Sequence, residues 1–287
     1  MPPEDRLAFE QLVFSGGGTR CFWHGGFLEV VAPAIGLAPE RVVGVSGGAL
    51  SAAAMISGRA QELRRVMIER FETVDSNIDL HALQEGHSIT PHQRIYREIV
   101  AAVLDDEEAR QRVANGPAFQ VQIGHPPSEA APRASTVPLF TLYEAEMRVR
   151  GTPHLRWCQA AGLRAELVDA RQAARDGRLC ELICAAAVIP PVFKIAIWDG
   201  QQVIDSGMAD KAPMPRPDRG RTLVLLTREF RNTPKDPRRL YVAPSRETPA
   251  DKIDFTDPEK LRKTWELGRR DGEAFLERHG RVAEKIH

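Results

Sequence analysis

Two short apolar runs near the start of the chain each end in a glycine-rich turn. Residues 11–14 and residues 41–45 have the length and composition of buried strands. A segment of helical composition follows each turn, over residues 19–31 and 49–56. Two successive units of strand, glycine turn and helix predict an α/β fold, in which helices cover the faces of a parallel sheet.

The rest of the chain alternates between helical and extended periodicity. Helices are predicted over residues 62–71, 92–104, 179–187 and 258–278. Strands are predicted over residues 118–123, 165–168, 194–198, 201–204 and 222–226. Residues 124–138 predict an exposed loop, and residues 62–112 a helical insert at the position of a lid or access groove. We expect one domain over residues 1–287, in which residues 216–287 supply the last strand and a closing helix.

Composition argues against several classes of partner. The 287 residues are 43% hydrophobic and 27% charged, and 39 basic residues balance 39 acidic ones. This zero net charge gives no support for nucleic-acid binding. Proline and aspartate residues interrupt the arginine-rich stretch at 216–239, which we interpret as a solvated surface. The sequence shows neither a signal peptide nor the roughly 18 unbroken apolar residues of a transmembrane helix. We therefore expect a cytoplasmic protein that touches a membrane only peripherally.

The cysteines and histidines do not predict a metal site. The four cysteines form no CxxC pair, and no His or Cys cluster joins Cys180 and Cys184 on their shared helical face. They are interpreted as free thiols. We expect neither a metal nor a cofactor.

The sharpest motif is Gly44-Val45-Ser46-Gly47-Gly48, a G-x-S-x-G sequence between a predicted strand and a predicted helix. A nucleophilic serine needs a tight strand-to-helix turn, and Gly44 and Gly48 carry no Cβ that would collide with the neighbouring chain. The helix that starts at Gly47 directs its N-terminal dipole at an anion forming beside the serine. This context predicts that Ser46 is a nucleophile.

A second motif, Gly16-Gly17-Gly18-Thr19-Arg20, lies about thirty residues before the serine. Consecutive glycines at a helix N-terminus gather backbone N–H groups that bind either a phosphate or an oxyanion. Cys21 stands where the dinucleotide fingerprint needs glycine, and the Lys-Ser/Thr pair of a P-loop is missing. We interpret the loop as an oxyanion hole. A phosphate site and a tight loop without a ligand are the alternatives.

The third motif, Asp205-Ser206-Gly207, follows the predicted strand 201–204. Alone, such a tripeptide is usually only a turn. Together with the glycine loop and the serine elbow, however, it resembles the acid motif of the patatin-like phospholipase family. Residues 184–193 and the segment Asp210-Lys211-Ala212-Pro213 are similar to two further elements of that family, so that the resemblance covers about residues 11–215.

The resemblance implies a three-layer α/β/α fold with a mainly parallel sheet, and a serine hydrolase that releases fatty acid from lipid esters. It implies that Ser46 is the nucleophile and Asp205 the general base. Amides among Gly16, Gly17, Gly18 and Thr19 would stabilise the oxyanion, and Arg20 would support this loop or contact a phosphate headgroup. The expected partner is a lipid or a membrane surface.

This implied dyad leaves no role for a catalytic histidine. A conventional α/β-hydrolase carries a histidine after its acid. After Asp205 the sequence contains only His279, in the last predicted helix, and His287, at the end of the chain. Both are interpreted as structural or surface residues, and His24 in the first helix as a packing residue.

Three positions depart from the family pattern. Cys21 and Ser206 each replace a glycine, and Lys211 replaces an asparagine. The first change could alter the packing of the helix after the glycine loop, and the second could restrict the turn that presents Asp205. A lipid-binding member of the family without activity therefore remains an alternative, as does a phosphate- or nucleotide-binding module.

Overall fold

An eight-stranded sheet forms the centre of the molecule in the computed structural model, which describes residues 7–74, 92–190 and 193–284. The strands are β1 (Gln11–Phe14), β2 (Arg41–Val45), β3 (Ala118–His125), β4 (Arg164–Asp169), β5 (Ala196–Trp198), β6 (Gln201–Asp205), β7 (Thr222–Leu225) and β8 (Arg239–Val242). The helices are α1 (Phe22–Ile35), α2 (Gly47–Ile56), α3 (Ala60–Phe71), α4 (His92–Leu104), α5 (Glu107–Asn115), α6 (Pro132–Arg150), α7 (Trp157–Ala160), α8 (Ala170–Arg175), α9 (Leu179–Ala185) and α10 (Pro258–Glu284).

The three sequence motifs lie at the carboxyl ends of β1, β2 and β6, and the strand order brings these ends close together. The order is β5-β6-β3-β2-β1-β7-β8, with β4 also pairing with β3. β1 runs parallel to β2 and β7, β2 to β3 and β7 to β8, whereas the pairs that involve β4, β5 and β6 are antiparallel. The predicted mainly parallel sheet is therefore confirmed. Phe14 is in register with Gly44, and Asp205 with Ile123 near the end of β3.

Alternate residues of the central strands pack into two separate hydrophobic cores. Leu12 and Phe14 of β1 belong to the core that contains α1, α2 and α4. Val13 belongs to the core on the opposite face, with Leu139 and Tyr143 of α6. Because strand side chains point to opposite faces in turn, both faces of the sheet are covered by helices. This is the predicted α/β/α arrangement.

Glycines allow α1 and α10 to pack closely. A Cβ on Gly26 of α1 would overlap the carbonyl oxygen of Trp265 in α10 and lie 3.2 Å from the amide nitrogen of Arg269. A Cβ on Gly268 would in turn lie 2.8 Å from the amide nitrogen of Phe27. Trp23 adds a hydrogen bond, since its Nε1 donates to Asp271 Oδ2 at 2.7 Å.

We expect Gly26→Ala to lower the free energy of unfolding by about 1–3 kcal/mol, the usual cost of overpacking a core. In an unobstructed helix the same change would raise stability by about 1 kcal/mol, because alanine is the better helix former. The sign of the change, measured by urea denaturation, therefore tests the close approach of the two helices. A stabilised variant would contradict it.

Two sequence predictions need correction. The segment 124–138 is not a loop throughout, because β3 continues to His125 and α6 begins at Pro132. Proline is tolerated in the first turn of a helix, where its missing N–H has no intrahelical partner, so a proline-rich sequence can start a helix. The first helix, predicted over residues 19–31, instead runs from Phe22 past Pro33 to Ile35, and Gly36 caps its C-terminus.

The structure describes only part of the helical insert predicted over residues 62–112. Residues 75–91 of the predicted helical insert lie outside the described residues, whereas α3, α4 and α5 account for much of the remainder. Within the described ranges, no helix combines the length and the hydrophobicity that crossing a bilayer requires.

Candidate active site

Ser46 occupies a strained turn between β2 and α2. Its φ of 54° and ψ of −132° lie outside the regions that L-residues normally adopt. A Cβ on Gly44 would lie 2.5 Å from Ala49 Cα, and a Cβ on Gly48 would lie 2.5 Å from the carbonyl oxygen of Ser15. The flanking glycines are therefore required for the turn, which presents the serine hydroxyl at the N-terminus of α2.

Asp205 meets this serine from the end of β6. Its Oδ2 accepts a hydrogen bond from Ser46 Oγ at 2.6 Å, and its Oδ1 accepts one from the Gly207 amide at 2.7 Å. The backbone amide of Asp205 donates to the carbonyl oxygen of Val188 at 2.7 Å. Ser46 and Asp205 are 5% and 7% exposed. A hydroxyl and an oriented carboxylate, both buried, are thus in direct contact.

The glycine loop lies beside the serine, but its amides are not equivalent. The Gly16 amide donates to the carbonyl oxygen of Lys211 at 3.0 Å, and the Thr19 amide donates to that of Lys252 at 3.3 Å. These two bonds fix the loop at both ends. The amides of Gly17 and Gly18 lie between these two anchored positions.

Comparison with known proteins identifies the family. The model of the patatin-like phospholipase family matches residues 12–216, which is more than half of the chain. The chain belongs to the patatin-like phospholipase family. By that membership it is a lipid ester hydrolase.

Two solved structures are similar to this patatin-like chain, both at low TM-scores. VipD from Legionella pneumophila has a TM-score of 0.46 at 10% sequence identity, with 94% of this chain and 67% of VipD covered. The type III effector protein ExoU has a TM-score of 0.36 at 15% identity, with 94% of this chain and 53% of ExoU covered. The chain thus spans about two thirds and about half of the lengths of these proteins. No curated protein matches the sequence.

The serine that replaces a glycine in the acid motif of this patatin-like chain strengthens the turn. Ser206 Oγ accepts from Gln122 Nε2 at 2.9 Å and donates to the Gln122 carbonyl oxygen at 3.0 Å. Gln122 Nε2 also lies 2.9 Å from the carbonyl oxygen of Asp210. The hydroxyl therefore ties the turn after Asp205 to β3. Sequence reasoning missed Gln122, because it is one of two glutamines that alternate with apolar residues in the predicted strand 118–123 and nothing local distinguishes it.

Cys21, the second departure from the family pattern, fills space beside the turn that contains Ser46. Its thiol donates to the carbonyl oxygen of Ser15 at 3.4 Å. A Cβ on Gly47 would lie 3.2 Å from its Sγ. Burial raises the pKa of the Cys21 thiol well above its ordinary value, and this effect exceeds the opposite effect of the Lys211 charge. Cys21 is therefore a neutral packing group.

Two cavities of the patatin-like site meet at Ser46. The first is an almost wholly apolar pocket with about 570 Å³ of space, including its opening to solvent, and it extends from Ser46 between α1, α2, α3 and α4. Its lining includes Phe22, Leu50, Leu63, Met67, Phe193 and Phe255. The second pocket, with about 370 Å³ of space including its opening to solvent, is lined by Gly16, Gly17 and Asp205 and also by Tyr143, Lys211 and Lys252. The two cavities differ in polarity.

Three of the described histidines contact groups other than Ser46 and Asp205. His24 is fully buried with its ring 5.5 Å from that of Phe14, and burial lowers its pKa to about 3. His279 packs on Phe275 within α10. His154 Nδ1 lies 3.1 Å from Asp210 Oδ1. His81, His87 and His287 lie outside the described residues.

Arg20 forms an ion pair away from the serine, with its Nη2 3.7 Å from Glu247 Oε1. Across the described residues, no group of three or more His, Cys, Asp and Glu side chains is arranged to hold a metal ion.

Proposed function

We propose that the protein hydrolyses carboxylic esters of lipids, phospholipids included, with Ser46 as the nucleophile and Asp205 as the general base. The observation that carries this proposal is the 2.6 Å hydrogen bond from Ser46 Oγ to Asp205 Oδ2. Within a buried site, this geometry permits direct proton transfer from the hydroxyl to the carboxylate.

The first half of the proposed reaction forms an acyl-enzyme. Ser46 Oγ attacks the ester carbonyl carbon while Asp205 accepts its proton, and the carbonyl oxygen becomes an oxyanion. When the tetrahedral intermediate collapses, the ester C–O bond breaks and Asp205 returns the proton to the departing alcohol. The second half repeats these steps with water. Asp205 accepts a proton from water, the acyl bond to Ser46 breaks, and the free fatty acid leaves as Ser46 Oγ regains a proton.

Stabilisation of the oxyanion must carry much of the catalysis, because a carboxylate is a weak base. The amides of Gly17 and Gly18 are the proposed donors, since those of Gly16 and Thr19 donate to Lys211 and Lys252. The N-terminus of α2, which begins at Gly47, adds a positive dipole at the same point. Both groups are held in place before the substrate binds.

The acyl chain is proposed to occupy the apolar cavity. Leu50 of α2, Leu63 and Met67 of α3 and Phe193 provide an apolar wall next to Ser46. Burial of a hydrocarbon chain stabilises the complex by about 0.8 kcal/mol per CH₂ group. A cytoplasmic location with peripheral contact to lipid remains a prediction from the sequence.

Labelling by an organophosphonate ester tests the nucleophile. We expect one adduct per protein molecule, located on Ser46 by peptide mass spectrometry, and no adduct on Ser46→Ala. Ser51→Ala is the matched control, because Ser51 lines the same cavity one turn along α2. It should label at the rate of the unmodified protein.

The alternatives give different results in the labelling experiment or in assays of lipid binding and hydrolysis. A phosphate- or nucleotide-binding module would show no labelling. A lipid-binding family member without activity would bind phospholipid vesicles but release no fatty acid from phospholipids, lysophospholipids or p-nitrophenyl esters. Either result would contradict the proposed hydrolase.

A further inference from the structure

We infer that the second cavity binds a phosphate group on the alcohol side of the substrate ester, through Lys211 and Lys252, and so favours phospholipids over neutral lipid esters. This inference rests on the proposed function. It assigns a substrate class to the same site. It also gives a role to Lys211, which replaces an asparagine of the family's sequence pattern.

Lys211 places a buried positive charge beside the catalytic contact. The residue is 7% exposed, lines the second cavity, and has its Nζ 5.2 Å from the centre of the Tyr143 ring. Its carbonyl oxygen accepts the Gly16 amide, which fixes its backbone against the glycine loop. Among the residues that the structure describes, no carboxylate lies within 4.0 Å of this ammonium. A charge buried to this extent is costly unless an anion pairs with it.

Lys252 supplies a second cation from a separate part of the chain. Its Nζ lies 5.1 Å from the Tyr143 ring centre, and the residue lines both cavities. The Thr19 amide donates to its carbonyl oxygen, and Lys260 Nζ holds the neighbouring Asp251 at 2.6 Å and Asp254 at 3.1 Å. Lys252 also has no carboxylate within 4.0 Å in the described parts of the chain. Its position is therefore fixed by backbone contacts and not by an ion pair.

The pKa of Tyr143 shows that the two lysines make its surroundings positive. Burial raises the pKa of its phenol, but the positive charges of Lys211 and Lys252 act in the opposite direction and the pKa is lowered overall. The cavity wall at Tyr143 is thus positive despite its burial. The Tyr143 ring supports both ammonium groups by cation–π contacts but does not neutralise them.

The relation of the two cavities indicates which part of a substrate reaches the lysines. With the ester carbonyl at Ser46 and the acyl chain in the apolar cavity, the alcohol half of the ester extends into the second cavity. In a glycerophospholipid that half carries a phosphate, whereas in an acylglycerol it carries no charge. Lysine ammonium groups bind phosphate oxygens through charge-assisted hydrogen bonds. Arg20 pairs with Glu247 and does not line the second cavity, whereas Lys211 and Lys252 do.

The test compares two substrates with identical acyl chains, phosphatidylglycerol and diacylglycerol, in the same neutral detergent micelles. The unmodified protein should have the higher kcat/KM for phosphatidylglycerol. In Lys211→Met and in Lys252→Met, the ratio of the two kcat/KM values should fall about tenfold or more, the usual worth of a hydrogen bond to a charged group. Lys211→Arg, which keeps the charge, should recover most of the ratio.

Controls separate this inference from structural effects and from the proposed function. Lys263→Gln removes an exposed lysine of α10 and should leave the ratio unchanged. Equal losses on both substrates in Lys211→Met and Lys252→Met, or no loss, would overturn the phosphate site while leaving the hydrolase intact. Absence of Ser46 labelling would instead remove the proposed function. Lys252, which is only half-buried in a loop, provides the test if Lys211→Met unfolds.

Free phosphate is the other source of the same chemistry. Inorganic phosphate should inhibit phosphatidylglycerol hydrolysis only weakly, because the phosphate that binds is delivered by the substrate. If inorganic phosphate instead changed diacylglycerol hydrolysis in the unmodified protein and not in Lys211→Met, and the substrate ratio did not depend on Lys211, the lysines would bind a free anion and the inference would be wrong.

Discussion

Exchanging Asp205 for asparagine is expected to lower kcat by about 10⁴-fold, the loss found when the acid of a serine hydrolase triad is replaced by its amide. Asparagine has nearly the same shape, and its one carbonyl oxygen can still accept from the Gly207 amide while its NH₂ group faces Ser46 Oγ. It cannot accept the proton that Ser46 must lose. Steady-state hydrolysis of a p-nitrophenyl ester would measure the effect.

Asp271→Asn is the matched control for this substitution. Asp271 is 8% exposed, close to the 7% of Asp205, and its carboxylate also accepts two hydrogen bonds, from Trp23 Nε1 at 2.7 Å and from the Ser245 amide at 3.1 Å. It lies in α10, outside both cavities. Its loss should affect stability and leave kcat within about threefold. An Asp205→Asn variant with kcat that high would show that Ser46 is activated by another group.

The serine elbow could be predicted from the sequence because its requirements are local. A tight strand-to-helix turn needs small residues next to the nucleophile, and the order of strand, G-x-S-x-G and helix is visible in a single stretch of chain. The same holds for the glycine loop. The β-branched run before Ser46 and the small residues after it correspond to β2 and α2 with the predicted bounds nearly unchanged.

Asp205 could not be assigned in this way, because its importance depends on a position 159 residues away. The tripeptide Asp205-Ser206-Gly207 alone predicts a turn, and only the resemblance to a family singled it out. The sequence also could not show which amides of the glycine loop already donate to other carbonyl oxygens. That depends on the carbonyl oxygens of Lys211 and Lys252, which reach the loop from distant parts of the chain.

The two lysines of the proposed phosphate site were beyond sequence analysis for a related reason. Lys211 was visible only as a departure from a family pattern, and Lys252 lies in a polar segment that resembles any surface loop. Their common feature is contact with Tyr143 of α6, and α6 starts inside a segment that predicts a loop. Proline and serine residues there hid the helix, and with it the wall of the second cavity.

Gly18→Ala is expected to reduce kcat by about 10²–10³-fold, the typical cost of losing one oxyanion donor. A Cβ on Gly18 would overlap the carbonyl oxygen of Lys252, and the residue has a φ of +61°. Because the obstacle is backbone and not a movable side chain, the glycine loop itself must shift. The Gly17 and Gly18 amides would then move away from the position that we propose for the oxyanion.

Gly36→Ala separates this displacement from simple backbone strain. Gly36 has the same φ of +61° but nothing within 4 Å of a new Cβ, and it ends α1 away from Ser46. Both variants should therefore lose about 1–2 kcal/mol of stability from the left-handed conformation. Only Gly18→Ala should lose kcat, measured by steady-state ester hydrolysis beside thermal unfolding. If both variants kept their activity, the amides of the glycine loop would not stabilise the transition state, and the N-terminus of α2 alone would have to do so.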